Sequence, residues 1–275
     1  MNKCELIYPS SEKDPHFLHA SDLSVVYANG NNRKISKGLE KLIQAKKDEI
    51  LRFNQNIYPA KKFRLNKVIR RMRPLIEFQI GLTDYVDYLA TNNDPKINKT
   101  LVRSGILKYH NPDAYLSNAI GNLAIVSTLD RKMILLKRSA HVATFQGFYD
   151  CPGGHPEPDN VQGPFNSENI VQELFSSISR EITEELAIDS VHLVNISLIG
   201  IIRNCDDGRK PEMIFYTPIS LTAEELTNKY TVEGTDNLLE SDQILLISPQ
   251  DALVSSILLT IPTRIAINLV MKLGL

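Results

Sequence analysis

The stretch Arg180-Glu181-Ile182-Thr183-Glu184-Glu185 decides most of what this sequence predicts. On a helix, Glu181 and Glu185 share a face at i, i+4, and Glu184 borders that face. Like charges held this closely repel in water, so the pattern favours a divalent cation that gathers the oxygens. The alternative is a solvated, Glu-rich surface. The upstream pair Gly153-Gly154 supports the cation, because a Gly-Gly turn lets backbone approach a ligand closely.

The carboxylates belong to a long amphipathic segment. Apolar residues recur at every fourth position and predict one buried helical face, with the Glu face left free: Ile170, Leu174, Ile178, Ile182 and Leu186. The pattern predicts a helix from about Glu168 to Leu186. We therefore expect the three Glu side chains to face away from the core.

The order of elements around this helix predicts a mixed sheet covered by helices. Apolar runs separated by turn signals predict two hairpins, one over 123–126 and 133–136 and one over 198–203 and 213–219. They also predict a strand that leads into Gly153-Gly154 and another over 244–247. A final helix is predicted to begin at Pro262. Residues before about Leu116 predict an α+β extension, with strands over 23–28, 63–69 and 75–80, a helix over 37–54, a short helix capped by Thr83 and a loop over 92–95.

Composition sets the protein class. The chain has 275 residues, with 31 basic and 32 acidic side chains, so no global field favours nucleic acid or a membrane. Between Arg33 and Arg73 there are 14 basic and 3 acidic residues. That segment is either a solvated basic surface or a positive wall that attracts a diphosphate.

Cysteine spacing and hydropathy bear on the compartment. Cys4, Cys151 and Cys205 have no metal-site or disulfide spacing. We see neither an apolar run long enough to span a membrane nor the apolar core of a signal peptide. We expect a soluble cytoplasmic protein without membrane or nucleic-acid partners, and the oligomeric state stays open.

The segments at Gly153-Gly154 and 180–188 together resemble the Nudix box. Its pattern is a Gly, five residues, a Glu, seven residues, then Arg-Glu-aliphatic-x-Glu-Glu-x-Gly-aliphatic. Here Ala187 replaces the second Gly, an insertion over 158–166 precedes the helix, and Gln172 stands where the upstream Glu belongs, with Glu173 beside it. The resemblance implies the α/β class: a Nudix-type α/β/α sandwich with a mixed sheet over 116–275, preceded by an N-terminal α+β extension over 1–115 that contributes to the substrate site.

A closer resemblance spans both halves of the chain. The segments at 59–65, 81–85, 89–92, 152–158 and 173–177 look like the animal UDP-glucose/UDP-galactose pyrophosphatases of this superfamily. That likeness implies hydrolysis of a small-molecule nucleotide sugar to UMP and hexose 1-phosphate. It also implies Mg²⁺ as the cofactor, with Mn²⁺ as the alternative.

The resemblance assigns roles within the box. Glu181 and Glu185 hold the metal, which bridges phosphate oxygens and lowers the pKa of bound water. Arg180 pairs with a box carboxylate to orient it. Glu184 either adds a ligand or acts as the base. Glu212 matches the further acidic position of some Nudix enzymes only loosely, and we leave it outside the site.

Seven further positions are assigned to the substrate by the same resemblance: Phe63 stacks on the pyrimidine, Tyr85 presents its hydroxyl to the nucleotide, Arg138 binds phosphate, Ala143 contributes backbone, Asp150 accepts from ribose or sugar hydroxyls, His155 donates to a phosphate, and Glu157 accepts from hexose hydroxyls or holds a metal-bound water. Ordinary structural roles remain the alternative: a core Phe, a half-buried helical Tyr, a strand-end Arg, a turn-capping Asp, a structural His and an exposed loop Glu.

Two other functions remain open. The first is a Nudix hydrolase that acts on another nucleoside diphosphate derivative, such as ADP-ribose, a dinucleotide or a capped RNA end. The second is a nucleotide-sugar sensor that kept the fold and lost turnover. Survival of Glu181, Glu184 and Glu185 argues against the sensor.

Overall fold

The computed structural model describes residues 4–9, 15–53, 57–72, 75–139, 145–233 and 241–275. The strands are β1 Cys4–Tyr8, β2 Leu23–Tyr27, β3 Lys61–Arg70, β4 Ile76–Asp84, β5 Gly121–Ser127, β6 Met133–Arg138, β7 Tyr149–Asp150, β8 Gly153–Gly154, β9 Ser197–Asn204, β10 Lys210–Pro218 and β11 Ser241–Ile247. The α-helices are α1 Lys37–Phe53, α2 Tyr85–Tyr88, α3 Pro95–Tyr109, α4 Ser167–Leu186, α5 Ala223–Glu233, α6 Pro249–Val254 and α7 Ile261–Lys272. None of these helices has the length and apolarity that a membrane span needs.

Two sheets organise the described residues. The larger has eight strands in the order β1-β9-β10-β5-β6-β11, with β7 paired to β6 and β8 paired to β5. Its pairs are antiparallel except β10 with β5, which run parallel. The smaller sheet has the order β2-β4-β3, with β2 parallel to β4. Mixed sheets combined with helices confirm the predicted α/β class.

Helices pack on both faces of the larger sheet. The central strand β5 supplies apolar side chains to both faces, because successive residues of a strand point in opposite directions. Ala124 and Val126 pack in one apolar cluster with the buried face of α4. Leu123 and Ile125 point the other way, into a second cluster with α7. The result is the α/β/α sandwich that the sequence predicted.

The smaller sheet shares a core with the larger one. Phe63 and Ile80 belong to the same apolar cluster as the buried face of α4, and the Ile120 N–H donates to the Phe63 carbonyl at 2.9 Å. Strand β1, also from the N-terminal part, forms an edge of the larger sheet. The N-terminal extension and the rest of the chain therefore share one apolar core. The boundary between them at residues 115 and 116 stays a prediction.

Strands β5 and β6, the first predicted hairpin, diverge, and residues 149–154 lie between them. β5 and β6 pair at Ser127 and Met133. Beyond that point β7 pairs with β6 and β8 pairs with β5. Residues 149–154 therefore lie between the two diverging strands, and Gly153-Gly154 is a short strand rather than the predicted turn.

Two predictions in the extension were wrong. Thr83 lies in β4, and Asp84 caps α2 by accepting the Asp87 N–H at 2.7 Å. The predicted loop at 92–95 is a π-helical turn, Leu89–Asn93, followed directly by α3. Asp94 caps α3 and Pro95 occupies its first turn, a helix-start signal that the loop prediction overlooked.

Candidate active site

A cavity of about 900 Å³ is lined by residues of both sheets and of α4. The larger sheet contributes Asn122, Arg138, Asp150 and the Gly153-Gly154 strand. The N-terminal part contributes Tyr58, Lys62 and Tyr85, while α4 contributes Arg180, Glu181, Glu184 and Glu185. Most of the residues that the sequence analysis singled out therefore meet in one cavity.

Helix α4 presents its carboxylates as its periodicity predicts. The Asn166 side chain caps its start by accepting the Asn169 N–H at 3.0 Å. Ile178 and Ile182 are fully buried, so Glu181 and Glu185 are turned toward the cavity. The helix ends at Ala187, which has left-handed backbone (φ 51°). This position holds Gly in the Nudix pattern, and the positive φ explains that preference.

Hydrogen bonds hold the Gly153-Gly154 strand against a side chain of α4 and a side chain of β5. The Gly153 N–H donates to Oε2 of Glu185 at 3.2 Å, and the Gly154 N–H donates to Oδ1 of Asn122 at 2.8 Å. A Cβ atom on Gly154 would overlap the Glu181 carboxylate. Glycine at this position therefore makes room for a carboxylate that the Nudix resemblance assigns to the metal.

Arg180 pairs with Glu173. Its Nη2 lies 2.6 Å from Oε1 and its Nη1 lies 3.2 Å from Oε2 of that residue. Glu173 is 3% exposed and also accepts the Glu157 N–H at 3.2 Å. Gln172, at the position of the family's upstream Glu, is exposed and bonds to Ser176. The neighbouring carboxylate has thus become the partner of the box arginine.

Five of the seven predicted substrate residues line the cavity: Tyr85, Arg138, Asp150, His155 and Glu157. Arg138 Nη1 lies 3.5 Å from Oδ2 of Asp150, and Thr263 Oγ1 donates to Oδ1 of Asp150 at 2.6 Å. The Tyr85 and His155 rings meet edge to face with centroids 6.1 Å apart.

Phe63 does not line the cavity. Its ring is fully buried and stacks on Phe165 with centroids 6.0 Å apart. Adjacent residues of a strand point to opposite faces, so Lys62 reaches the cavity while Phe63 enters the core. The structure therefore places Phe63 in the core, the alternative given above, and its stacking on the pyrimidine stays a prediction. Ala143 lies outside the described residues.

Tyr58 is an aromatic residue that the sequence analysis missed. Its side chain is 68% exposed and lines the cavity. The Ala60 N–H donates to the Tyr58 carbonyl at 2.8 Å, and the Tyr85 N–H donates to the Ala60 carbonyl at 3.0 Å. These two hydrogen bonds link the backbones of Tyr58 and Tyr85 through Ala60, so both residues lie on the same part of the cavity wall. A Tyr just before Pro59, ahead of a strand, was the available signal.

The described part of the N-terminal basic segment pairs many of its basic side chains with carboxylates and forms no continuous positive wall. Arg33 pairs with Glu40 and Asp87, and Lys47 pairs with Asp84 and Asp87. Among the basic residues described between 33 and 72, Lys62 lines the cavity. Of the two alternatives for this segment, attraction of a diphosphate is therefore supported only at Lys62 among the described residues.

Lys210, which the sequence analysis did not consider, pairs on β10 with Glu212, which it left outside the site. Both line the cavity, and Lys210 Nζ lies 3.2 Å from Oε1 of Glu212. Burial raises the pKa of the Glu212 carboxyl to about 7. Although burial disfavours its charge, the carboxylates of Glu212 and Asp207 raise the pKa of Lys210. Glu212 and Lys210 share one face of β10 at i, i+2, and this spacing was the sequence signal available for Lys210.

The described residues include no group of three or more His, Cys, Asp or Glu side chains already arranged around a metal position. Mg²⁺ characteristically takes one or two carboxylates and completes its shell with water and substrate phosphates. Glu181 and Glu185, both facing the cavity, match that type of site.

Comparisons with known proteins give the same family. A human protein, "Uridine diphosphate glucose pyrophosphatase NUDT22", is 30% identical over 232 residues, which cover 80% of this chain and 76% of the relative. Its Bos taurus counterpart is 31% identical over 241 residues, covering 84% and 81%. "Nudix hydrolase 9" of Arabidopsis thaliana is 30% identical over 264 residues, covering 85% and 80%.

Among solved structures, a mutT/nudix family protein from Listeria innocua matches 56% of this chain and 92% of its own, with 17% identity and a TM-score of 0.38. No protein-family model matches the chain. The three sequence relatives each align over more than three quarters of both chains. With the box carboxylates on a cavity wall, the chain belongs to the Nudix hydrolase superfamily and is a hydrolase.

Proposed function

We propose that the protein hydrolyses the diphosphate of UDP-glucose or UDP-galactose, releasing UMP and hexose 1-phosphate with Mg²⁺ as its cofactor. One observation carries the proposal: a single cavity joins the Glu181 and Glu185 carboxylates to aromatic and basic side chains of the N-terminal part. The human and bovine relatives, each named a uridine diphosphate glucose pyrophosphatase, support UDP-glucose as the substrate.

Glu181 and Glu185 are the proposed metal ligands. Hard carboxylate oxygens suit Mg²⁺, and Mn²⁺ accepts the same donors. When bound, the metal neutralises phosphate charge and acidifies a coordinated water. Glu184, exposed on the same side of α4, is the proposed acceptor of the proton released by the attacking water. Arg180 holds the buried Glu173, and through it the Glu157 backbone, so its role is positioning.

The remaining residues that line the cavity are proposed to contact different parts of the substrate. Tyr58 and Tyr85 provide aromatic surfaces for the pyrimidine, since stacking on an exposed ring contributes about 1–3 kcal/mol per base. Arg138 offers a guanidinium to a phosphate. The Asp150 and Glu157 carboxylates accept from ribose or hexose hydroxyls. Thr260 and Thr263 keep Asp150 in place by donating to Oδ1 at 2.8 and 2.6 Å.

The first experiment incubates the purified protein with UDP-glucose, with and without Mg²⁺, and measures UMP and glucose 1-phosphate by chromatography. Formation of both products only with the metal supports the proposal. Binding of UDP-glucose without products would instead favour a nucleotide-sugar sensor. Absence of both would redirect the search to other nucleoside diphosphate derivatives.

A Glu181→Gln variant tests the metal assignment. Loss of a metal ligand should lower kcat by about a hundredfold or more, because the neutral amide supplies no charge to the cation. Glu168→Gln is the matched control: it makes the same change in the first turn of α4, at an exposed residue that does not line the cavity. If Glu181→Gln turns over UDP-glucose as fast as the parent, the assignment is wrong.

A further inference from the structure

Nitrogen donors from three elements surround one part of the cavity. Lys62 reaches it from β3, Lys210 from β10, and His155 from the residue after β8. The Nε2 atom of His155 is buried and, among the described residues, has no hydrogen-bond partner. A buried nitrogen atom without a hydrogen-bond partner destabilises the folded protein, and a ligand that forms the missing hydrogen bond removes that cost.

Each lysine is held in place by a carboxylate. Lys62 pairs with Glu157, and Lys210 pairs with Glu212 and lies over the Tyr88 ring, 5.8 Å from its centroid. An ammonium group has three N–H donors, so pairing with one carboxylate leaves N–H groups for a ligand. The lysines are thus oriented before any substrate arrives.

His155 is neutral at physiological pH. Burial, together with the positive charges of Lys210 and Lys62, lowers its pKa well below the usual value. The same two charges attract an anion to the position that they flank. A neutral imidazole can donate through Nε2 without adding a third charge.

From this arrangement we propose that Lys62, Lys210 and His155 form a phosphate-binding pocket that works without the metal. The inference rests on the proposed function and refines it: one phosphate of the diphosphate lies at the Glu181–Glu185 side with the metal, and the other lies between the two lysines. The pocket joins the two sheets, since Lys62 belongs to the smaller and Lys210 to the larger.

Calorimetric titration with inorganic pyrophosphate in EDTA tests the pocket directly. Lys62→Met and Lys210→Gln should each weaken binding about tenfold to a hundredfold, the range for losing a charge-assisted hydrogen bond. Lys61→Met is the matched control: it removes the same charge one residue away, from a side chain that is 61% exposed and paired with Asp159. Thermal unfolding of each variant checks that it is folded.

The outcomes separate this inference from the proposed function. Weak binding by both variants, with parent-like binding by Lys61→Met, supports the pocket even if UDP-glucose proves not to be the substrate. Parent-like pyrophosphate binding by folded Lys62→Met would overturn the pocket even if the parent hydrolyses UDP-glucose. A parent that binds no pyrophosphate in EDTA would overturn it as well. If Lys210→Gln does not fold, the Lys62→Met result decides.

Discussion

Replacing Gly154 with Ala tests whether the exact position of the Glu181 carboxylate matters. A Cβ atom on Gly154 would overlap Oε1 and Cδ of Glu181 and lie 2.8 Å from Oε2. Ordinary contacts between such atoms are roughly 3.5 Å. The overlap falls on the far end of a flexible side chain, so the fold can accept the methyl group if the carboxylate moves away.

Restoring an ordinary contact of roughly 3.5 Å to the new methyl group requires the Glu181 carboxylate oxygen to move by about 1.6 Å. Misplacement by about 1 Å already costs roughly a hundredfold in rate. We therefore expect kcat for UDP-glucose to fall about a hundredfold in Gly154→Ala and Mn²⁺ affinity to fall with it. The assays are product formation under saturating substrate and Mn²⁺ titration followed by electron paramagnetic resonance.

Gly38→Ala provides the control for Gly154→Ala. A Cβ atom on Gly38, in α1, would have no heavy atom within 4 Å, and Ala is the better helix former. This variant should keep full activity and gain some stability. If Gly154→Ala is folded and retains parent kcat and Mn²⁺ affinity, the reasoning that places Glu181 at the metal is refuted.

Two more predictions concern the binding of the pyrimidine at Tyr58 and the buried carboxyl group of Glu212. The chain contains no Trp, so Tyr58→Trp introduces a single Trp whose fluorescence can be excited selectively at the red edge of the absorption band. UMP should quench this fluorescence and ribose 5-phosphate should not, whereas quenching by both or by neither would remove Tyr58 from the pyrimidine-binding site. Burial raises the pKa of Glu212 from 4.5 to about 7, so the folded protein retains a proton that the unfolded chain releases. The free energy of unfolding should fall as pH rises through that window, and Glu212→Gln should remove about 2.5 kcal/mol of the fall between pH 5 and pH 8. Urea unfolding at the two pH values measures this, and equal pH dependence in both proteins would contradict it.

The helix that carries the box was the most predictable element. Its apolar residues recur at every fourth position, and its observed span, Ser167–Leu186, begins within one residue of the predicted start. Local signals were enough because the helix depends on its own periodicity and cap. Helix α3 was missed although Asp94-Pro95 is a helix-start signal, since the neighbouring Asn residues favoured a loop.

Pairing between distant strands was not predictable in the same way. Alternation identifies β5 and β6 but says nothing about the insertion of residues 149–154 between them. Alternation also could not decide which face of β3 meets the core. That choice sends the Phe63 side chain into the core and the Lys62 side chain to the cavity, because adjacent residues of a strand point to opposite faces.

The sequence alone determined the family, the α/β class and the carboxylate face of α4, because these follow from motif spacing and helical periodicity. The tertiary structure decided which residues meet those carboxylates. Tyr58 lies just before β3, Lys62 lies in β3 of the smaller sheet, and Lys210 and Glu212 lie in β10 of the larger sheet, more than 140 residues later. Their meeting depends on how two sheets pack around one apolar core, and the pKa of Glu212 depends on the burial that this packing produces.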